Sequence, residues 1–495
     1  MLLTSILLVP LVAGLVCWIL PWRPVMEGLN VLAFAIALVL GLRLLEQVLA
    51  VGFVAEWEQF LSADALSAWM VLLISAVSLG SSLYAGRYFR RDLAAGVVTA
   101  GRVKEFFVLT PLFATGMFLA VLANNLGVMW FALEATALSS VLLVALYNRK
   151  TSLEAAWKYV MLGSLGLALA LFATVCTYAA AVGPQPSEKL PSFNWSHLMS
   201  VAPQLDRRLI KLAFVFALVG YGTKAGLAPM HTWLPDAHSE APSPTSAMLS
   251  GVSLKIALYA LLRFHILTAH CLDSGFSRTL LLCFGLFSMF LAAPFILVQT
   301  NLKRLLAYSS LEHVGLICAG IGMNTPVTIF GALLHMGYHA LTKPVLFFAA
   351  GNIHQTFHSL ELRIIGRGVV KVLPLTVLLM GLAAVAAMGL PPFGLFYSEF
   401  IVISGGFAAG KTFLSVLVLV ALVAAFCGIL KQLTRILLGM PRPESPAVAN
   451  PDRSGRDGVG AMALLLGGLL VFSIWLPKPL FQLIQQAAGI IGGKP

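Results

Sequence analysis

Residues 124–147 read NNLGVMWFALEATALSSVLLVALY. After the Asn-Asn turn, the run 126–147 is long enough to cross a bilayer as a helix, which takes about 20 mainly apolar residues. One ionisable group, Glu134, stands near its middle. A charge at the bilayer centre costs at least about 2.5–3.5 kcal/mol on insertion scales, so it persists where it faces other groups or water, or has a use. The run therefore predicts a transmembrane helix and, beside it, an interior that is polar at chosen points.

Similar runs recur along the chain. Of its 495 residues, 59% are hydrophobic and 11% charged, and the mean hydropathy is +0.92. Soluble domains carry about 25% charged residues, so the chain is expected to be an all-α integral membrane protein. The runs are 2–20, 28–49, 66–86, 105–123, 126–147, 153–182, 209–229, 246–269, 279–299, 302–322, 327–352, 372–403, 411–438 and 460–485. They predict about fourteen transmembrane helices. No basic segment precedes the first run, which reads as an uncleaved helix rather than a signal peptide. A polar segment at 183–208 interrupts the pattern, and 441–458 reads as a mobile polar linker. No soluble domain is expected.

The formal net charge of +12 does not point to nucleic acid, because the basic residues lie in short loops between apolar runs. Arg87, Arg90, Arg91, Arg102 and Lys104 fall between the third and fourth runs, Arg149 and Lys150 between the fifth and sixth, and Lys303 and Arg304 between the ninth and tenth. Arg363, Arg367 and Lys371 precede the twelfth, and Lys431, Arg435, Arg442, Arg453 and Arg456 lie around the thirteenth loop. With fourteen helices all fall on one side. The other side carries Glu46, Glu56, Glu58 and Asp64. The positive-inside rule makes the basic side cytoplasmic and places both termini outside.

Cys17, Cys176, Cys271, Cys283, Cys318 and Cys427 are scattered singly, without the spacing of a zinc or iron–sulfur site. No nucleotide loop or haem motif is present, so neither metal, cofactor nor catalytic site is expected in the chain itself.

Interior ionisable residues carry the functional signal. Besides Glu134 they are Lys224, just before a predicted helix break, and Lys255 in the eighth run. His335 and His339, spaced i, i+4, share one helix face with Lys343 a turn further on. Glu399 follows a Pro-Pro break, and Glu312 and His313 are secondary candidates in the tenth run. Lys158, four residues after Glu154, reads instead as half of a surface pair. The breaks are the second signal. Gly226-Leu-Ala-Pro229 recurs loosely as Gly389-Leu-Pro-Pro392, 163 residues later, each beside a buried charge. Paired interruptions in two halves mark inverted-repeat transporters; chance recurrence in a Gly/Leu-rich chain is the bland alternative. A further break is expected at Lys343-Pro344.

The stretch 224–247, KAGLAPMHTWLPDAHSEAPSPTSA, resembles the signature of the proton-conducting antiporter-like membrane subunits of respiratory complex I, Mrp-type cation/proton antiporters and membrane-bound hydrogenases. Segments 135–140, 152–159, 303–312 and 391–400 look most like component F of hydrogenase-4, in the formate hydrogenlyase group. Lys255 departs from that component, which has a neutral residue there, and matches the complex I subunits. The resemblance implies two inverted five-helix repeats with broken helices 7 and 12. They divide the chain into 1–104 (helices 1–3), 105–270 (first repeat), 271–440 (second repeat) and 441–495 (linker and helix 14).

The resemblance also implies roles. Glu134 and Lys224 resemble a switchable carboxylate–lysine pair, Lys255 a central relay lysine, and Glu399 a terminal acid. His335 and His339 fall on the helix that supplies relay histidines, and His231 and His238 flank the first break as a candidate intake path. The expectation is a proton-translocating subunit of a hydrogenase- or complex I-like redox assembly, without redox chemistry of its own. It would sit in a bacterial cytoplasmic (inner) membrane among other membrane subunits. An Mrp-like Na⁺(K⁺)/H⁺ antiporter subunit is the alternative, and a structural membrane anchor the bland one.

Overall fold

The computed structural model describes residues 1–182, 192–272, 275–365, 369–437 and 458–493. The chain begins with α1 (Leu2–Ile19) and α2 (Arg23–Val51), followed by a hairpin of β1 (Val54–Glu56) and β2 (Leu61–Ala63). Then come α3 (Ala65–Ala94), α4 (Ala100–Leu122), α5 (Leu126–Val144), α6 (Lys150–Val182), a short α7 (Trp195–Ser200) and α8 (Arg207–Ala225). α9 (Trp233–Glu240) and α10 (Ser243–Met248) lead through a π-helical turn (Leu249–Ser253) into α11 (Leu254–Leu272). α12 (Phe276–Val298), α13 (Leu302–Gly322) and α14 (Pro326–Phe357) follow, then the one-turn α15 (Leu362–Ile365) and α16 (Val369–Val372). The remainder is α17 (Pro374–Ala387), α18 (Gly394–Ala408), α19 (Thr412–Leu437), α20 (Val459–Ile474) and α21 (Lys478–Gly492).

Side chains cap the helix starts. Asp64 accepts from Ser67 N, Asn125 from Gly127 N and Val128 N, Asp206 from Arg208 N and Leu209 N, and Asn301 from Arg304 N. Thr325 and Thr328 form a reciprocal capping box on α14. Each cap satisfies amides that the first helical turn leaves unpaired.

The protein is an all-helical, multi-pass membrane protein. Among the described residues ten helices are long and apolar enough to cross a bilayer, or eleven if α20 and α21 are one bent span. The apolar standard thus gives ten or eleven where the sequence predicted about fourteen. The three remaining runs fall short for stated reasons: α8 is charged, α14 carries histidines and Lys343, and the run 372–403 is split into the short helices α17 and α18.

Two further expectations change. The run 460–485 is not one helix: α20 and α21 meet at a 79° bend, where Pro477 lacks the amide a continuing helix would need. Conversely, α14 runs unbroken through Lys343 and Pro344. Gly251 lies against the Pro344 ring and against Ala340 O, so a neighbouring segment covers the carbonyl whose intrahelical donor the proline removes. The linker 441–458 lies outside the described residues except for Gly458, as does 183–191 of the first polar segment.

The two breaks expected from sequence are present and alike. Gly226 ends α8 with φ +77°, and Gly389 follows α17 with φ +64°. Each lies three residues before a cis proline, Pro229 or Pro392. A second likeness links the halves. Asn125, the cap of α5, bridges antiparallel to Asn194, with Leu126 N donating to Phe193 O and Trp195 N to Asn124 O. Asn301, the cap of α13, bridges in the same way to Glu361, with Leu302 N donating to Leu360 O and Leu362 N to Thr300 O.

Burial sorts the helices. The most apolar windows of residues 243–272 and of α13 are wholly buried, whereas those of α1 and α19 are 39% and 33% buried. α11 and α13 therefore lie at the centre and α1 and α19 at the rim of the chain. Small residues allow close crossings: a methyl group at Gly220 would strike the α6 backbone at Gly166 and Ala170, and one at Gly285 would strike Ala319 of α13. Such small-residue contacts are the usual way helices approach inside a bilayer.

Candidate functional site

The central helices carry titratable side chains that local sequence leaves far apart. The π-helical turn before α11 leaves the Ser250 carbonyl near Lys255, whose Nζ donates to it at 2.6 Å. Lys255 Nζ also lies 2.6 Å from His339 Nδ1 on α14. The His339 ring stands 4.7 Å, centroid to centroid, from His313 on α13. His313 Nδ1 is 3.0 Å from His335 Nε2, and His335 Nδ1 is 3.0 Å from Ser398 Oγ on α18. Glu399 follows, its carboxylate so close to Gly389 that a methyl group there would collide with it. The second helix break and its acid thus touch.

Lys255, His313, His335, His339 and Ser398 are all at most 1% exposed, and Glu399 is 8% exposed. A lysine or imidazole nitrogen donates when protonated and accepts when not, so one transferred proton reverses the polarity of the Lys255–His339 and His313–His335 contacts. Around the chain, Ser250 Oγ is 2.7 Å from Ser310 Oγ, and Lys343 Nζ donates to Ser309 Oγ at 2.8 Å and Leu306 O at 3.2 Å. Glu312 Oε2 lies 3.4 Å from His313 Nδ1, while its Oε1 is buried without a partner.

The first half holds the other candidates. Glu134 is partly buried at mid-length of α5. Lys224 is 2% exposed in the last turn of α8, and its Nζ has no hydrogen-bond partner. Glu134 acts on it electrostatically, but the two form no ion pair within 4.0 Å. The helix C-terminus beside Lys224 also favours its positive charge. Among the described residues no side-chain hydrogen bond links Lys224 to Lys255. His238 is fully buried, stacked 5.1 Å from Phe347, with both ring nitrogens unpartnered. His231 is 7% exposed, with its Nδ1 unpartnered. Lys158 pairs with Glu154 at 2.7 Å, as its spacing predicted, and also with Asp236 at 3.1 Å.

Sequence reading missed several members. Ser398, Ser250 and Ser310 carry no signal, because a lone serine is an ordinary residue inside a membrane helix. The buried pair Asp64–Arg263 was missed because its halves are 199 residues apart. Arg263 donates to both Asp64 oxygens, at 2.6 and 2.8 Å, as well as to Ser67 and Tyr259, and its guanidinium lies over the Trp195 ring at 4.4 Å. Burial alone would raise the Asp64 pKa, but Arg263 and Ser67 hold it below the usual carboxylate value. This pair closes the hairpin end of the bundle.

One group could hold a metal among the described residues: His313, His335 and Glu399 each bring a ligand atom within 4.8 Å of the others. Two of the nitrogens in this group, His313 Nδ1 and His335 Nε2, face each other at 3.0 Å.

A family model described as "NADH:quinone oxidoreductase/Mrp antiporter, TM" matches residues 123–424. A hydrogenase-4 component F homolog of Methylacidiphilum infernorum (isolate V4) is 39% identical over 394 residues, covering 79% of this chain and 81% of the relative. In fold, the chain is similar to one in the Mrp complex of Dietzia sp. DQ12-45-1b, with TM-score 0.84, 19% identity, and coverage of 99% and 96%. A chain of Thermus thermophilus respiratory complex I gives TM-score 0.71 at 26% identity, with coverage of 95% and 97%. The chain belongs to the NADH:quinone oxidoreductase/Mrp antiporter transmembrane family.

Proposed function

We propose that the chain is a proton-translocating, antiporter-like membrane subunit of a hydrogenase- or complex I-type redox assembly. The observation that carries this reading is the buried sequence Lys255–His339–His313–His335–Ser398, ending beside Glu399 at the second helix break. Buried ionisable groups in a membrane interior mark ion pathways and proton relays. Histidine changes charge nearest to neutral pH, and a buried lysine gives up its proton more readily than an exposed one. In this reading Glu134 and Lys224 form the first switch, His231 and His238 the intake, and Lys343 and Glu312 tune the centre around His313.

The inverted repeats at 105–270 and 271–440 are supported by the matched breaks and caps. The basic end of the bundle, where Arg304 and Lys158 meet Asp236, is assigned to the cytoplasm of a bacterial cell. Both termini and the β-hairpin are then outside. The chain works with other membrane subunits, as its relatives belong to complexes. The hydrogenase-4 relative favours a redox partner over Mrp-like exchange of Na⁺ or K⁺ for H⁺.

Purification of the native assembly, followed by reconstitution, tests this. The expected result is co-purifying nickel- and iron-bearing subunits and proton uptake driven by their redox reaction. Small membrane partners alone, with Na⁺- or K⁺-dependent proton exchange, would establish the antiporter instead.

A further inference from the structure

A cavity of about 560 Å³ lies between α2, α3, α14 and the bend joining α20 to α21, within the roughly 300–1,000 Å³ of pockets that hold one small molecule. Its walls are apolar: Leu38, Leu45 and Leu49 of α2 face Leu72 and Ala76 of α3 and Leu341 of α14. From Leu38 to Leu49 it follows about 16 Å of helix, close to one leaflet of a hydrocarbon core about 30 Å thick.

Two polar features mark its outer end. Trp69, 5% exposed, lines the cavity, and its indole N–H is buried without a hydrogen-bond partner. An unpaired buried donor is costly, and an acceptor oxygen on an occupant would relieve it. Trp69 lies five residues after Asp64, just inside the hairpin end of α3, at the level where tryptophans gather at a membrane interface. Glu46 lines the cavity as well, and its ion-pair partner Arg43, at 3.2 Å, is exposed beside it.

We propose that the cavity binds one glycerophospholipid from the hairpin-side leaflet. One acyl chain fills the apolar volume, an ester carbonyl accepts from Trp69 Nε1, and a zwitterionic headgroup spans the Arg43–Glu46 pair, its phosphate toward Arg43 and its ammonium toward Glu46. An apolar chain suits these walls, an ester oxygen suits the indole, and a phosphate suits an interfacial guanidinium. Gly337 and Tyr338 complete the wall, and they lie on the helix that carries His335 and His339. An occupant therefore presses directly on the helix that holds two of the buried histidines.

The test is phospholipid quantified per chain by mass spectrometry of the intact, detergent-washed complex. Wild type should retain one phospholipid per chain that Ala76→Phe, which fills the cavity, loses. Trp69→Phe, which keeps the ring and removes only the donor, should lose that lipid several-fold faster on repeated washing. Equal retention in wild type and Ala76→Phe, or no faster loss from Trp69→Phe, overturns the proposal. So does a protein segment filling the cavity in a cryo-EM map of the native complex.

Discussion

Lys255 Nζ and His339 Nδ1 stand 2.6 Å apart although 84 residues separate them in the chain. Both are fully buried, and a proton moved from the ammonium to the imidazole would neutralise one and charge the other. Lys255→Met should reduce redox-driven proton uptake in proteoliposomes at least about ten-fold, below the low end of what positioned proton-transfer groups contribute, while the complex stays assembled. Lys255→Arg should do little better, because guanidinium does not release its proton. Full uptake by Lys255→Arg would show that this site only needs a fixed charge.

The Glu134–Lys224 relationship is electrostatic and not a closed ion pair. Glu134→Asp should keep much of the uptake and Glu134→Gln little, because a facing carboxylate favours the charged lysine. Lys224→Arg should fail for the same reason as at Lys255. If Lys224→Arg pumps like wild type, Lys224 is a structural charge.

Ser398 gives His335 Nδ1 its partner at 3.0 Å. Ser398→Ala should slow proton uptake several-fold with no change in complex yield, and Ser398→Thr should restore most of it. An unchanged rate for Ser398→Ala would remove the hydroxyl from the pathway.

Asp64 and Arg263 form a bidentate buried pair. Removing either partner alone strands a buried charge and should cost about 3–5 kcal/mol. The double variant Asp64→Asn/Arg263→Met should be less destabilised than the sum of the two singles, measured by thermal denaturation of the purified complex. Asp64 has a depressed folded-state pKa. Its contribution is therefore present above the ordinary carboxylate pKa and lost as pH falls through the lower, folded value. Purely additive single and double effects would mean the pair is not coupled.

The proposed sidedness rests on the charged ends and is open to a direct test. In a cysteine-free background, Glu58→Cys at the hairpin should react with an impermeant maleimide in intact cells. Arg90→Cys, exposed at the opposite end, should react only after lysis. The reverse pattern would invert the assignment.

Sequence alone determined the membrane class, because a helix in lipid must be apolar over a bilayer's thickness and that length is a local property. It also determined where charges such as Glu134, Lys224, Lys255 and Glu399 interrupt apolar runs. The two breaks were legible too, since Gly at positive φ and Pro without an amide act on their own segment. Tertiary structure decided which polar groups meet. His313 faces His335, Lys255 faces His339, and Ser398 joins the chain only because α11, α13, α14 and α18 pack together. It also decided the cases where a neighbour overrides a local rule. Pro344 stays in an unbroken helix with Gly251 against its ring and against Ala340 O, whereas Pro477 sits at a 79° bend. Periodicity and residue chemistry set what each helix can be, while contacts between residues dozens to hundreds of positions apart set which of those groups share a site.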